Sequence, residues 1–204
     1  MGPRARAKRE QILTGARRVF LRNGFAATST DAIAAEAKVS KRTLYAYYPS
    51  KEELFADVLR GLTVENPQTR VLESVRRIDP ESREELREGL VELARKLLGT
   101  MMNPEYLALL RTIIADTHRF PHLGDIFRET VPERGMRESA AMLERARKNG
   151  VIGDANPEVA TRMFFGALFT YAVIDGLFRP GDQPQPPSPE EIEEIVDLYM
   201  KAIT

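Results

Sequence analysis

The chain of 204 residues has no cysteine, no tryptophan and only two histidines. Without cysteine there is no disulfide framework and no thiolate metal site. His118 and His122 stand four residues apart, the separation of metal ligands on a continuous helix. Pro121 lies between them and breaks such a helix, and no His-Glu-x-x-His pattern accompanies them. No metal and no cofactor is expected. Catalytic signatures are also missing: there is no Gly-x-Ser-x-Gly elbow, no phosphate-cradling P-loop and no zincin motif, which argues against an enzyme. Long apolar runs are lacking. The most apolar stretch, Met163 to Phe178, is interrupted by Gly166, Asp175 and Gly176, short of the roughly 18 uninterrupted residues that mark a membrane span. The charged N-terminus has no apolar signal-peptide core. A cytoplasmic protein without a membrane partner is expected.

Net charge is absent as well, with 30 Lys and Arg against 30 Asp and Glu. Position changes that picture. Residues 1 to 65 carry 12 basic against 7 acidic side chains, and the remainder 18 against 23. A basic head can draw affinity from counterion release on DNA, while an acidic body is kept off the duplex. Arg4, Arg6, Lys8 and Arg9 are read as a flexible basic arm able to touch the backbone or the minor groove.

What is present is concentrated in Thr28 to Leu54, two short helices on a tight turn. Ser29 or Thr30 caps the first, and Ile33, Ala34 and Ala37 recur on one small apolar face. Ala34 lets a steeply crossing helix approach, and Val39 plugs the turn. Ser40 caps the second helix, which turns Leu44 inward with Tyr47 or Tyr48 after it. Lys41, Arg42, Thr43, Tyr45 and Ala46 then face outward on barely two turns, too short to be stable without neighbours. Lys41 and Arg42 occupy the first turn, where the macrodipole disfavours positive charge by roughly 0.3 to 1 kcal/mol each; a phosphate nearby reverses that sign. Tyr45, Tyr47 and Lys51 can bond phosphate oxygens or base edges. Pro49 ends this helix, and a capping box of Ser50 with Glu53 restarts the chain as a linking helix at about 51–64, striped by Leu54, Phe55, Val58, Leu59 and Leu62.

Residues 8 to 60, through Gly24-Phe25, Thr28-Ser29-Thr30, Ile33-Ala34, Val39 to Tyr45 and Ser50 to Phe55, resemble the N-terminal domain of the TetR family of transcriptional regulators. The resemblance implies that Thr28, Ser29 or Thr30, Tyr47 and Lys51 grip phosphates, that Lys41, Arg42, Thr43 and Tyr45 face the major groove, and that Leu44 and Tyr48 are core. It implies a source among bacteria or archaea, with the protein associated with the nucleoid by function. One position departs from the pattern. The turn residue usually filled by glycine is Lys38, where a left-handed backbone costs roughly 1 to 2 kcal/mol, so the turn is either strained or takes another shape.

Beyond Val64 the pattern is helical throughout. Asn66-Pro67 breaks the linking helix, Asp79-Pro80 begins another, Pro104 starts the next, a further helix runs from about Leu123 to Arg147 and ends at Asn149-Gly150, and Asn156-Pro157 opens an apolar one to Phe178. A Pro-rich loop from Pro180 to Pro187 precedes a start at Ser188-Pro189-Glu190-Glu191. The expected fold is all-α, with a three-helix helix-turn-helix domain at 1–50 and a helical ligand-binding and dimerisation domain at 51–204.

The helix up to Phe178 is apolar all round and must be buried all round, which a four-helix interface between two copies would achieve. Gly166, Phe169, Val173, Ile192, Ile195, Val196 and Tyr199 are the candidates for that interface. A homodimer would set two reading helices roughly 34 to 36 Å apart, matching a near-palindromic operator on double-stranded DNA. The run from Glu105 to Ala115, with Arg119 to Leu123 and Val131 to Arg134, is similar to the C-terminal domain of the AefR-like subgroup. That similarity implies a small-molecule effector, with Met102, Tyr106, Arg111, His118, Phe127 and Met163 as candidate lining residues; each could equally be core, or in the case of Arg111 a partner of Asp116 or Glu105. The expected function is a ligand-responsive repressor. A helical adaptor binding only protein is the alternative, and it would have no use for hydroxyls, tyrosines and basic residues gathered on one short helix.

Overall fold

The computed structural model describes residues 2–63, 70–130, 132–179 and 183–204, and among these it contains helices and no strand. Helix α1 spans Pro3–Asn23 with proline at its start, where a missing N–H costs nothing. The basic run Arg4 to Arg9 is therefore helical, a correction to the flexible arm expected from its charge. The cause is local: good helix formers follow a proline that presets the first turn. Helix α2, Thr30–Glu36, is capped by the Ser29 hydroxyl, α3, Lys41–Tyr47, by Ser40, and α4, Lys51–Leu62, by Ser50. Each hydroxyl accepts a hydrogen bond from an N–H three residues on. The full reciprocal capping box occurs elsewhere, between Ser188 and Glu191.

These four helices enclose Ile12, Phe20, Phe25, Ile33, Leu44, Leu54, Phe55 and Leu59, all fully buried. Phe20, Phe25 and Phe55 meet edge-on or stacked with centroids 5.0 to 6.0 Å apart. The same core continues into Leu109 and Ile113 of α7 and Leu123 of α8. A boundary at residue 50 thus passes through one packed core, since α4 supplies its centre.

The body begins with α5, Val71–Arg77, which the sequence pattern did not separate from its surroundings. Helix α6, Arg83–Met101, starts later than Asp79-Pro80 suggested, because Ser82 supplies the cap. Helix α7, Pro104–Asp116, is capped by Asn103 and starts on its proline as expected. The single helix expected from Leu123 to Arg147 is two: α8, His122–Thr130, and α9, Pro132–Lys148. Pro132 lacks the N–H that would have carried the helix across. Gly150 ends the α9 region with φ 73°, as its C-terminal position suggested. Helix α10, Pro157–Tyr171, runs into a π-helical segment, Ala172–Leu177, before α11, Pro189–Ile203. The linking helix, expected to reach about 64, ends at Leu62 with Thr63 as its cap. The expected breaks at Asn66-Pro67 and at Pro180 lie outside the described residues.

A second core binds the body together from α5, α6, α9, α10 and α11, with Leu86, Leu93, Leu98, Met142, Leu168 and Val196 at its centre. Among the described residues no helix is long and apolar enough to cross a membrane.

Helix α1 passes the end of α2 at close range. A Cβ built on Gly15 would stand 2.7 Å from the Ala37 Cβ and 2.8 Å from its backbone. Gly15→Ala is therefore expected to force α1 and α2 apart and to lower stability by about 1 to 3 kcal/mol, read as a lower melting temperature in calorimetry.

Candidate nucleic-acid interface and body cavity

Helix α3 is held from beneath by Leu44 and Tyr48 and left open above. The Tyr48 hydroxyl donates to Asp57 Oδ2 at 2.7 Å, and the Asp57 carboxylate also receives the guanidinium groups of Arg9 and Arg60. Asp57 is only 6 % exposed, so its charge is tolerable because two cations and a phenol satisfy it. One carboxylate thereby fixes α1, the end of α3 and α4 to one another. Burial raises the Tyr48 phenol above its ordinary range, which keeps it a donor.

On the open face, Lys41, Arg42 and Tyr45 are exposed and Thr43 and Tyr47 half-buried. Lys41 bonds Asp31 at the start of α2, and that hydrogen bond and charge raise its pKa. The Tyr45 and Thr30 hydroxyls lie 3.3 Å apart, and the Ser40 and Thr43 hydroxyls 2.8 Å apart. These contacts tie Tyr45 and Lys41 of α3 to Thr30 and Asp31 at the start of α2, with Arg42, Thr43 and Tyr47 on the same short helix and Ser29 capping α2.

Two residues expected there are placed differently. Thr28 is buried, and its one hydroxyl proton goes to the Gly24 carbonyl at 2.6 Å, so no donor remains for a phosphate. Lys51 turns inward. Its ammonium bonds the carbonyls of Phe25 and Thr28 at 2.8 and 2.9 Å and sits 4.2 Å from the centre of the Phe25 ring. Partial burial lowers its pKa. Both residues secure the α1–α2 loop from behind. Sequence periodicity could not reveal this: the partners of Lys51 are backbone carbonyls distant in the chain, and that of Thr28 is a loop carbonyl four residues back. Lys38 has φ 53°, so the left-handed turn is kept without glycine.

The body holds a cavity of about 320 Å3, within the range of small-molecule sites. Tyr106, Phe127, Met136, Phe165 and Phe169 contribute to its lining, and Arg162 is its charged member among the described residues. Of the six candidates, Tyr106 and Phe127 line it. The other four do not. Met102 is buried beneath Gly176, with its sulfur 3.3 Å from where a Cβ there would stand. The Arg111 guanidinium donates to the carbonyls of Gly176 and Leu177, at the C-terminal end of the π-helical segment, where a helix offers free acceptors. His118 is exposed on the turn after α7, and Met163 lies on the outer side of α10.

The candidate contact face between copies divides in a similar way. Ile192, Val196 and Tyr199 are buried within the chain's own core, where α6 lies across them and Arg87 and Arg95 pair with Asp197 and Glu193. Ile195 is half-buried against that core. Gly166 and Phe169 are exposed and Val173 half-buried. They accompany an outward row in which Met163, Ile174 and Phe178 are 50 %, 60 % and 75 % exposed, with Leu198 of α11 also exposed.

Sequence comparison matches residues 12–58 to the family described as bacterial regulatory proteins, tetR family, and residues 88–202 to the AefR-like transcriptional repressor, C-terminal domain. A repressor of Streptomyces coelicolor, HTH-type transcriptional repressor SCO4008, is 30 % identical over 174 residues, which are 82 % of this chain and 79 % of that one. The fold is similar to a crystal structure of a putative TetR-family regulator from Mesorhizobium loti, with TM-score 0.76, 28 % identity, and coverage of 99 % of this chain and 96 % of that one. It is also similar to the flavonoid-responsive regulator FrrA, with TM-score 0.69, 33 % identity and 97 % of each chain covered.

The strain at Lys38 is measurable. Lys38→Gly should relieve the left-handed backbone while adding unfolded-state entropy, a net gain of about 0.5 to 1 kcal/mol. In a chain of this size that is a rise of roughly 1 to 4 °C in melting temperature, read by circular dichroism.

Proposed function

The chain belongs to the TetR family of transcriptional regulators, and from that premise we propose that it grips a near-palindromic operator as a two-fold dimer and releases it when a small molecule fills the body cavity. Family and relatives make it a DNA-binding transcriptional repressor and not an enzyme. The observation that carries the DNA-reading assignment is the open face of α3, a capped helix of seven residues presenting Lys41, Arg42, Thr43 and Tyr45 above a sealed core. These four read base edges in the major groove, while Ser29, Thr30 and Tyr47 bond phosphate oxygens. Anions supplied by the duplex offset the unfavourable placement of Lys41 and Arg42 at the positive end of the helix dipole. Thr28 and Lys51 act from behind, keeping the phosphate-facing loop in position.

Dimerisation is supported by the outward row on α10 and the π-helical segment that follows it, where large exposed apolar side chains recur. Gly166, Phe169, Val173 and Leu198 extend it, whereas Ile192, Val196 and Tyr199 support it from the core. A small-molecule input is supported by the apolar cavity, and by the name of FrrA, a flavonoid-responsive relative. Release follows from differential affinity: an occupant that weakens operator binding about a hundredfold favours the unbound state by roughly 2.7 kcal/mol.

Two expected outcomes test this. Arg42→Ala with Tyr45→Ala should lower affinity for the chain's own promoter DNA at least tenfold in fluorescence anisotropy, with an unchanged melting temperature; unchanged binding removes those residues from the reading face. Met163→Lys with Ile174→Lys should give a folded monomer by light scattering, with operator binding lost. A dimer that survives both charges would place the contact elsewhere.

A further inference from the structure

Resting on the reading of the cavity as the effector site, we propose that its occupant is an uncharged, flat aromatic molecule bearing an acceptor to which the Tyr106 hydroxyl donates a hydrogen bond. The hydroxyls in the lining carry the argument. Thr63 donates to the Leu59 carbonyl and Thr100 to the Lys96 carbonyl, both within their own helices. Tyr106 is different. It is 2 % exposed, lines the cavity, and burial is the sole influence on its phenol, with no hydrogen bond reaching the hydroxyl among the described residues. The buried hydroxyls of Ser139, Thr161 and Tyr199 also lack a partner, but none of those residues lines this cavity. Tyr106 does. A buried phenol left unbonded is costly, and a ligand acceptor satisfies it.

Burial pushes the Tyr106 pKa far above its ordinary range, so the hydroxyl stays protonated at any working pH and acts as a donor. The matching ligand atom is therefore an acceptor, such as a carbonyl or ether oxygen. Charge is excluded by the surroundings. Arg162, the charged member of the lining among the described residues, is exposed, so a carboxylate drawn to the depth of Tyr106 would lie unpaired among apolar groups. Flatness follows from the walls. The rings of Phe127, Phe165 and Phe169 and the thioethers of Met101 and Met136 favour aromatic faces and edges, and Gly135 presents no side chain.

The test uses three molecules with one framework: fluorenone with a carbonyl, fluorene without one, and fluorene-9-carboxylate with a negative charge. Equilibrium dialysis against the full-length wild-type chain should show fluorenone bound about tenfold more tightly than fluorene, with the carboxylate weakest. Tyr106→Phe should bring fluorenone down to fluorene and leave fluorene unchanged. Because the phenol does not titrate, the fluorenone constant should stay flat from pH 6 to pH 9. Equal binding of ketone and hydrocarbon by the wild type overturns the proposal, and needs no variant to fold. So does a difference that survives Tyr106→Phe, a preference for the carboxylate, or failure of all three to bind. Tyr106-dependent binding of fluorenone that leaves operator DNA attached would keep the ligand assignment and remove the release mechanism instead.

Discussion

The head and body of this molecule share one hydrophobic core, and most of its behaviour descends from that constraint. Phe25, at the turn between α1 and α2, packs against Phe20 and Phe55 within the head. It also meets Phe120 at 5.5 Å and the His122 ring at 6.2 Å, at the junction of α7 and α8 in the body. Polar ties reinforce the seam. The Ala26 N–H donates to Asp116 at 3.0 Å, Arg17 pairs with Glu105, and His122 approaches Glu52 to 3.6 Å. Exposed ion pairs of this kind are each worth little. Their effect lies in orientation, because the packed rings between them resist any tilt of one part against the other.

Within the head the same economy of anchors appears. Arg9 and Arg60 are spent on Asp57, Arg18 and Arg22 approach Glu36, Lys51 is held by carbonyls, and Lys41 leans on Asp31. A surplus of basic residues counted along the sequence therefore overstates the charge offered to DNA. Arg42, like Lys41, is exposed on α3 itself. Lys41 can exchange a solvated carboxylate for a base edge at small cost, since its pair with Asp31 lies wholly at the surface.

Short-range chemistry was readable in advance. The hydroxyl caps at Ser29, Ser40, Ser50 and Ser188, the prolines at the starts of α7, α10 and α11, and the inward Leu44 each depend on neighbours a few residues away. What was not readable depends on distant parts of the chain. Lys51 carries the residue type of a phosphate ligand, yet carbonyls 23 and 26 residues away claim it. Ile192, Val196 and Tyr199 form a stripe that fits either a partner or an internal helix, and only the position of α6 decides. Arg111 finds its acceptors at the end of a helical segment 65 and 66 residues later, a contact with no local signature. The division of α8 from α9 was legible at Pro132 but outweighed by apolar periodicity on both sides.

The position of the cavity explains how a ligand could act on a surface it does not touch. Phe127 lines the cavity and also packs against the shared head core and against the small cluster of Tyr106, Leu107, Leu110 and Leu177. One turn before it on α8, Leu123 is fully buried in the head core. A ring pressed against Phe127 from the cavity cannot be absorbed by compression, because close-packed interiors yield by moving whole elements. Helix α8 lies directly against α4, and α4 carries Asp57, which holds the end of the reading helix through Tyr48. Gly166 and Phe169 also line the cavity, from α10, a helix whose exposed apolar side chains are proposed to meet a partner. An occupant would therefore bear at once on the tie to α3 and on that proposed contact. A shift along either route would alter the spacing that successive major grooves require, without altering a single residue of the reading face.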